Sequence, residues 1–409
     1  MKISFIIPSY NNLRYLKSAY HSIRTWEDKD HEIVILDDAS VDGTVDWLRT
    51  LDDPNLIIWE NETGERLGHT ITYDIGVDLS TTEVFSIFHA DMFVGPNYVQ
   101  NLVKHLDKRT VVAATRIEPP LHPSGKEKIT RDFGLWPEDF REDDFINFVK
   151  QEQAHHHNKD QTTKGIFAPW AMYKEDFLRI DGHDPLFAPF PYEDSDIFQR
   201  FILAGYDIVQ SRDAYVYHLT CRGHKWTDDK IVNKVDDTWE ELERNARINY
   251  IRKWNSWIAN DENHCPIIIP KYNTCLIADN VDSIEQVDIL EPWFCHMVID
   301  SLDLVGAYLF KEQPNTSLDM SQRISTKEME EYSDYGVKIY VDLHQLTTED
   351  YNNLQRMNLI LQELHRSMSL DFNLSGEYQL GNIKVQVDSL DNIIDSLIAP
   401  SWAEDERKT

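Results

Sequence analysis

Apolar and polar positions over the first 120 residues fall into short blocks that switch between two periods. Lys2 to Ile7, Glu32 to Leu36, Asn55 to Trp59 and Val84 to Phe88 are short apolar runs, the pattern of buried strands. Between them, Leu13 to Thr25, Val45 to Leu51 and Thr70 to Leu79 read as helices, with Asn11 or Asn12 placed to cap the first. Strands alternating with helices at this spacing predict a parallel α/β sheet covered on both faces. Such sheets bind ligands at the carboxyl ends of their strands, near a reversal of strand order. Pro8, Asp38 and Asp91 all fall at predicted strand ends.

Val111 to Arg116 reads as a further strand. From Ile117 to Thr163 the pattern dissolves into Pro119-Pro120, Pro123-Ser124-Gly125, a charged helix near Glu138 to Gln153 and the run His155-His156-His157. A stretch of this length inside a fold is more often functional than idle. Order resumes at Phe167 to Met172 and continues through a late strand, Tyr206 to Val209, and Ala214 to His218; Asp228 to Trp257 follows as a long amphipathic helix or helix pair. Beyond Asn263 the composition changes, with strands expected at Ile267–Ile269, Val337–Val341 and Ile383–Val387 and helices at Asp350–Ser367 and Leu390–Leu397.

With 409 residues the chain is too long for one average core, and two domains are expected, parting near residue 262. A hydrophobic content of 41% is that of a globular protein. The net charge is −31, of which ten Lys and Arg against 25 Asp and Glu from residue 263 onward account for −15. A field of that sign disfavours unassisted docking on nucleic acid or anionic lipid. Cys221, Cys265, Cys275 and Cys295 show neither a CxxC pair nor zinc-type spacing and read as free thiols of a reducing compartment. With no apolar run of transmembrane length and no signal-peptide core, a cytoplasmic protein is expected.

Candidate chemistry concentrates in two acidic stretches, Phe88-His89-Ala90-Asp91-Met92 and Tyr192-Glu193-Asp194-Ser195-Asp196, about a hundred residues apart. A carboxylate at a strand end can hold a divalent cation, and a second can act as a base on an incoming hydroxyl. Asp38 at the end of the second strand can accept from the N–H groups of a base, or Asp42 and Ser40 beside it cap the next helix. His218 closes a strand-like run.

These strings resemble the family 2 glycosyltransferases of GT-A fold. Leu36-Asp37-Asp38-Ala39-Ser40-Val41-Asp42-Gly43-Thr44 is similar to the family's D-D-x-S-x-D-G-T element, and Asp91 stands at the last position of its D-x-D signature, with His89 in place of the first Asp. Asp181-Gly182-His183-Asp184-Pro185-Leu186-Phe187, followed by Glu193 to Arg200, resembles its G-G-F-D-x-x-F … E-D-x-D-L-x-x-R block. The resemblance covers about residues 1–260. It implies a Rossmann-like, mostly parallel GT-A sheet flanked by helices over 1–262; beyond the resemblance, the strands and helices read after Asn263 predict a smaller α+β accessory domain over 263–409. Within the first domain it implies a nucleotide-binding half (1–116), an insertion (117–165), an acceptor half (166–225) and closing helices (226–262).

The implied activity is metal-dependent, inverting transfer of a sugar from a nucleotide-diphosphate donor, a UDP-sugar in the first instance, to a hydroxyl acceptor, a glycan. Pro8, Tyr10, Asn11, Asp38, Arg66, Gly68, His89, Ala90 and Asp91 would surround the nucleotide. Asp91 and His218 would hold Mn²⁺ or Mg²⁺, Asp194 would be the base, and Asp196 would cap the helix behind it. Glu193 would orient a sugar, Trp170 would stack on one or pack in the core, and Arg222, His224 and Lys225 would form a loop closing over the diphosphate. The tail would serve as an oligomerisation or acceptor-docking module. Two alternatives remain at this level. One is glycosylation of a modified DNA base, with a basic patch around Arg116, Lys126, Lys128 and Arg131. The other is a non-catalytic scaffold that has kept the fold.

Overall fold

The computed structural model describes residues 1–156, 162–220, 226–227, 230–231, 237–328, 334–367 and 375–399. The chain divides into two compact units, Met1–Glu240 with Asn260–Pro266, and Glu241–Ala259 with Ile267–Thr409.

The first unit is built on one large sheet. Its strands are β1 (Ser4–Ser9), β2 (Glu32–Asp37), β3 (Leu56–Glu60), β4 (Val84–Ile87), β5 (Met92–Val94), β6 (Thr110–Glu118), β7 (Lys128–Thr130), β8 (Thr162–Thr163), β9 (Trp170–Tyr173) and β10 (Asp207–His218). They lie in the order β3-β2-β1-β4-β9-β6-β10-β5, with β7 beside β6 and β8 beside β10. The expected parallel pairings hold for β1 to β4, with β1 between β2 and β4, and for β6 beside β10. Period alone does not give strand direction. The structure sets β9 antiparallel between β4 and β6, and β5 and β8 antiparallel against β10. The two apolar runs expected near 206–209 and 214–218 are one strand, with a register shift between Gln210 and Tyr215.

Both faces of the sheet are covered, which is why β1, β2 and β4 read as nearly continuous apolar runs. Phe5 and Ile7 of β1, with Ile3 just before them, pack with Leu16, Ala19 and Ile23 of the helix Leu13–Trp26. On the other face the helix His69–Leu79 comes so close that a Cβ on Gly76 would lie 2.4 Å from Ile6. Neither Asn11 nor Asn12 caps the first helix with its side chain; Asp42 Oδ2 accepts from the Leu13 N–H at 2.8 Å instead. In the inserted stretch, β6 runs on to Glu118 and a helix spans Glu142–His156.

The second unit has its own six-stranded sheet in the order 324–326, 296–299, 274–279, 337–342, 383–387, 376–380. The first four strands are parallel and the last two form an antiparallel hairpin. Its core joins Leu276, Met297, Ile339 and Val385 to Val305, Leu354 and Leu361 from the helices. Ile267–Ile269 is not a strand. It is flanked by Pro266 and Pro270, which lack the N–H a ladder needs. The helix expected over 350–367 is two, Thr348–Gln355 and Met357–Ser367. Of the segment 226–262 expected to close the first domain, Glu241–Ala259 belongs to the second unit. Arg252 is buried and donates to Glu291 (2.9 Å), Glu312 (3.0 Å) and the Tyr308 hydroxyl (3.0 Å).

Candidate active site

A cavity of about 690 Å³ opens in the first unit. Its lining includes residues at or just beyond the carboxyl ends of β1, β2, β4 and β10, where a parallel sheet leaves strand-end groups unpaired. Pro8, Tyr10, Asp38, Arg66, His89, Ala90, Asp91, Trp170, Glu193, Asp194 and His218 all line it. Chain segments separated by more than two hundred residues thus meet in one space.

At one end, the loop after β2 and the loop before the helix His69–Leu79 are tied together by Asp38. Its buried carboxylate accepts from Asn61 Nδ2 (2.8 Å) and from the backbone N–H groups of Leu67 (2.9 Å) and Gly68 (2.7 Å). Asp38 therefore shapes the loop that carries Arg66. The Arg66 guanidinium lies between two rings, 4.6 Å from the Tyr10 centroid and 4.8 Å from that of Phe190, and burial lowers its pKa. Gly68 has φ +86, and a Cβ there would stand 2.3 Å from Pro189 Cα, so only glycine lets the loop 188–191 approach. Asn11 braces rather than lines the cavity, donating its N–H to Ser40 Oγ (2.9 Å) and accepting from Val41 N–H (2.8 Å).

At the floor, His89, Asp91 and His218 each offer one ligand atom, all within 4.8 Å of one another. Among the described residues this is the one such group. A nitrogen–oxygen–nitrogen donor set of this size fits a divalent cation. His218 Nε2 stands 3.5 Å from Asp91 Oδ1, while its Nδ1 is hydrogen-bonded to Glu118 Oε1 at 2.9 Å. Burial works against a charge on His218, but Asp91 and Glu118 outweigh it and push the pKa up to about 9. His89, partly buried beside His218, is lowered to about 3 by desolvation and by that neighbour.

Across the cavity, Tyr192 takes φ 78 and starts the helix Glu193–Leu203, so that Glu193 and Asp194 occupy its first turn. Burial and the adjacent Glu193 charge raise Asp194 to about 6, against hydrogen bonds from Ser195. Glu193 is partly buried too, yet its pKa is lowered, because His69 Nε2 sits 2.6 Å from Oε1. Glu193 Oε2 is buried with no hydrogen-bond partner. Asp196 does not cap the helix: it is inside it, fully buried, and pairs with Arg200 at 2.7 Å, one helical turn on. Trp170 is 3% exposed and packs edge-on against Phe85 and Phe201, which is core packing at the cavity wall.

The model of the family described as Glycosyl transferase family 2 matches residues 4–179. That segment is similar to glycosyl transferase family 2. Among curated proteins, an uncharacterized glycosyltransferase of Nostoc sp. is 33% identical to the chain over 114 residues, which is 27% of this chain and 35% of the relative's own length. Among solved structures, GalNAc-T7 with UDP, GalNAc and Mn²⁺ aligns with a TM-score of 0.44 and 16% identity, over 62% of this chain and 51% of that one. The mannosyltransferase PcManGT from Pyrobaculum calidifontis, in complex with GDP-Man and Mn²⁺, aligns at 0.40 and 20%, over 62% and 63%. TarS of S. aureus with UDP-GlcNAc aligns at 0.40 and 16%, over 61% and 67%.

The matched segment contains Asp38, His89 and Asp91 but ends before Glu193, Asp194 and His218, which the fold brings to the same cavity. Three contributors carry no signal in the sequence pattern. His69 holds Glu193, Glu118 holds His218, and Asp74 accepts from His183 at Nδ1 (2.6 Å) and at its backbone N–H (2.9 Å). Each acts through a partner more than ninety residues away. Of the cations suggested as a basic patch, Lys126 pairs with Glu262 (2.6 Å), and Lys128 and Arg116 pair with Glu118 (2.9 and 3.0 Å). Arg131 lies over the Phe148 ring at 4.3 Å. Arg222, His224 and Lys225, and His156 and His157, lie outside the residues whose side chains the structure describes; His155 is exposed. Among the described residues no helix is long and apolar enough to cross a membrane.

Proposed function

We propose that this protein transfers a glycosyl group from a nucleoside-diphosphate sugar, a UDP-sugar in the first instance, to a hydroxyl of an acceptor glycan. One observation carries the reading: a cation-competent His89–Asp91–His218 group and a partly buried carboxyl raised to about 6, Asp194, line one cavity. The family 2 match over 4–179 supports it. Tyr10, Arg66 and the loop shaped by Asp38 form the nucleotide end. His89, Asp91 and His218 are the residues that would hold Mn²⁺ or Mg²⁺. A divalent cation bound there supplies a Lewis acid that neutralises the departing diphosphate.

Asp194 takes the proton from the acceptor hydroxyl as its oxygen bonds to the anomeric carbon and the bond from that carbon to the diphosphate oxygen breaks. A single displacement of this kind inverts the anomeric centre. Glu193 Oε2 is left to accept from a sugar hydroxyl. Calorimetric titration with UDP, GDP and dTDP, each with and without Mn²⁺, tests the reading on wild type and Asp91→Ala. Cation-dependent binding of one nucleotide, lost in the variant, is expected; binding of none of the three would refute it.

A further inference from the structure

We infer that Glu118 is a positioning residue for the cation site, holding the His218 ring so that Nε2 faces Asp91 and His89. The inference rests on the cation reading of that group. Glu118 ends β6 next to β10, whose last residue is His218, so the two side chains meet through sheet pairing rather than through a loop. Glu118 is 2% exposed and its Oε1 lies 2.9 Å from His218 Nδ1. An imidazole whose Nδ1–H is committed to a carboxylate presents only Nε2 to a cation, with its ring rotation fixed. His218 Nε2 indeed lies on the Asp91 side, 3.5 Å from Oδ1.

Glu118 is itself held. Lys128 Nζ donates to Oε2 at 2.9 Å and Arg116 Nη1 lies 3.0 Å from Oε1, while Arg116 Nη2 is 3.8 Å from Glu127. Both Glu118 oxygens are thus engaged, which keeps the carboxylate out of the ligand set. The two cations and two carboxylates of this network balance in formal charge, and what Glu118 adds at the cation site is the orientation of the His218 ring. Burial opposes the charged form of Glu118, but the His218, Arg116 and Lys128 contacts hold its pKa well below the ordinary value.

The rival reading is that Glu118 only pairs Lys128 and Arg116 to keep β6 and β7 folded. Mn²⁺ titration followed by electron paramagnetic resonance separates the two, on wild type, Glu118→Gln and Lys128→Met. Proton NMR of the His218 Nδ1–H in the cation-free protein provides a second readout. A positioning role predicts Mn²⁺ binding weakened roughly 10–100-fold in Glu118→Gln, with the Nδ1–H resonance moved upfield or lost. It predicts a smaller loss of Mn²⁺ affinity in Lys128→Met than in Glu118→Gln, because Lys128→Met leaves the Glu118–His218 contact in place, even if that variant melts earlier. Wild-type affinity in Glu118→Gln, or an unmoved Nδ1–H resonance, would overturn the inference. If the wild type binds no Mn²⁺ while the resonance still responds to Glu118→Gln, the cation reading fails and the hold of Glu118 on the ring stands.

Discussion

Asp194 and Glu193 are neighbours in sequence and in space, yet their environments drive their proton affinities apart. His69 keeps Glu193 charged; burial and that charge keep Asp194 more basic than an ordinary aspartate. A base must be unprotonated to act, so kcat/KM is expected to fall below pH of about 6, tenfold per unit. Asp194→Asn should lower kcat by about 10²–10⁴-fold, while calorimetric nucleotide affinity stays near wild type. Glu193→Gln removes the neighbouring charge, so the acid limb of the surviving activity should shift below pH 6. An acid limb that stays in place would show that burial alone sets Asp194. None of these partnerships can be read from the string Glu193-Asp194-Ser195-Asp196. The motif marks two carboxylates, whereas His69, 124 positions away, decides which of them holds a proton less tightly.

At the scale of an element, Glu27 illustrates how a helix end sets a titration. It follows the helix Leu13–Trp26, and its Oε1 accepts from the Tyr98 N–H at 2.6 Å, at the start of the helix Tyr98–Val103. Burial raises its pKa to about 7, beyond what the Tyr98 and Val99 N–H groups lower. The folded protein therefore retains a proton that the unfolded chain releases, and stability contributed by Glu27 declines as pH rises from about 4.5 to 7. Glu27→Gln keeps an acceptor for the N–H and removes the buried charge. It should stabilise the protein by about 1–2 kcal/mol at pH 8 and change little at pH 4, read as urea midpoints. The strands and helices of this unit were legible from period and punctuation, because strands covered on both faces leave unbroken apolar runs. Strand direction was not, and β9 is the clearest instance: its apolar run fits either orientation between β4 and β6.

For the whole molecule, the unit boundary is set by burial rather than by the composition change at residue 263. Arg252, in the helix Asp237–Trp254, is 1% exposed and answers Glu291 and Glu312, both 1% exposed, in the second unit. A fragment of residues 241–409 should melt cooperatively. One of residues 267–409 lacks Arg252 and Trp254, leaving Glu312 without that cation. Breaking a buried pair of this kind costs about 3–5 kcal/mol, so its melting transition should be lost or shifted far down by calorimetry. Equal transitions in the two fragments would place the boundary near 263 after all.

What the sequence determined by itself is the alternation that makes an α/β sheet, the strand ends where ligands gather, and the short acidic strings that carry cation-type and base-type groups. Those are local properties: period, side-chain chemistry and turn residues act within a few positions. The tertiary structure alone decided that His218 meets Asp91 and His89, that Glu118 aims the ring, that His69 ionises Glu193 and that Asp196 serves Arg200. Each of these except the last joins residues far apart in the chain, and each changes a pKa or an orientation through distance and burial, which no spacing along a sequence encodes.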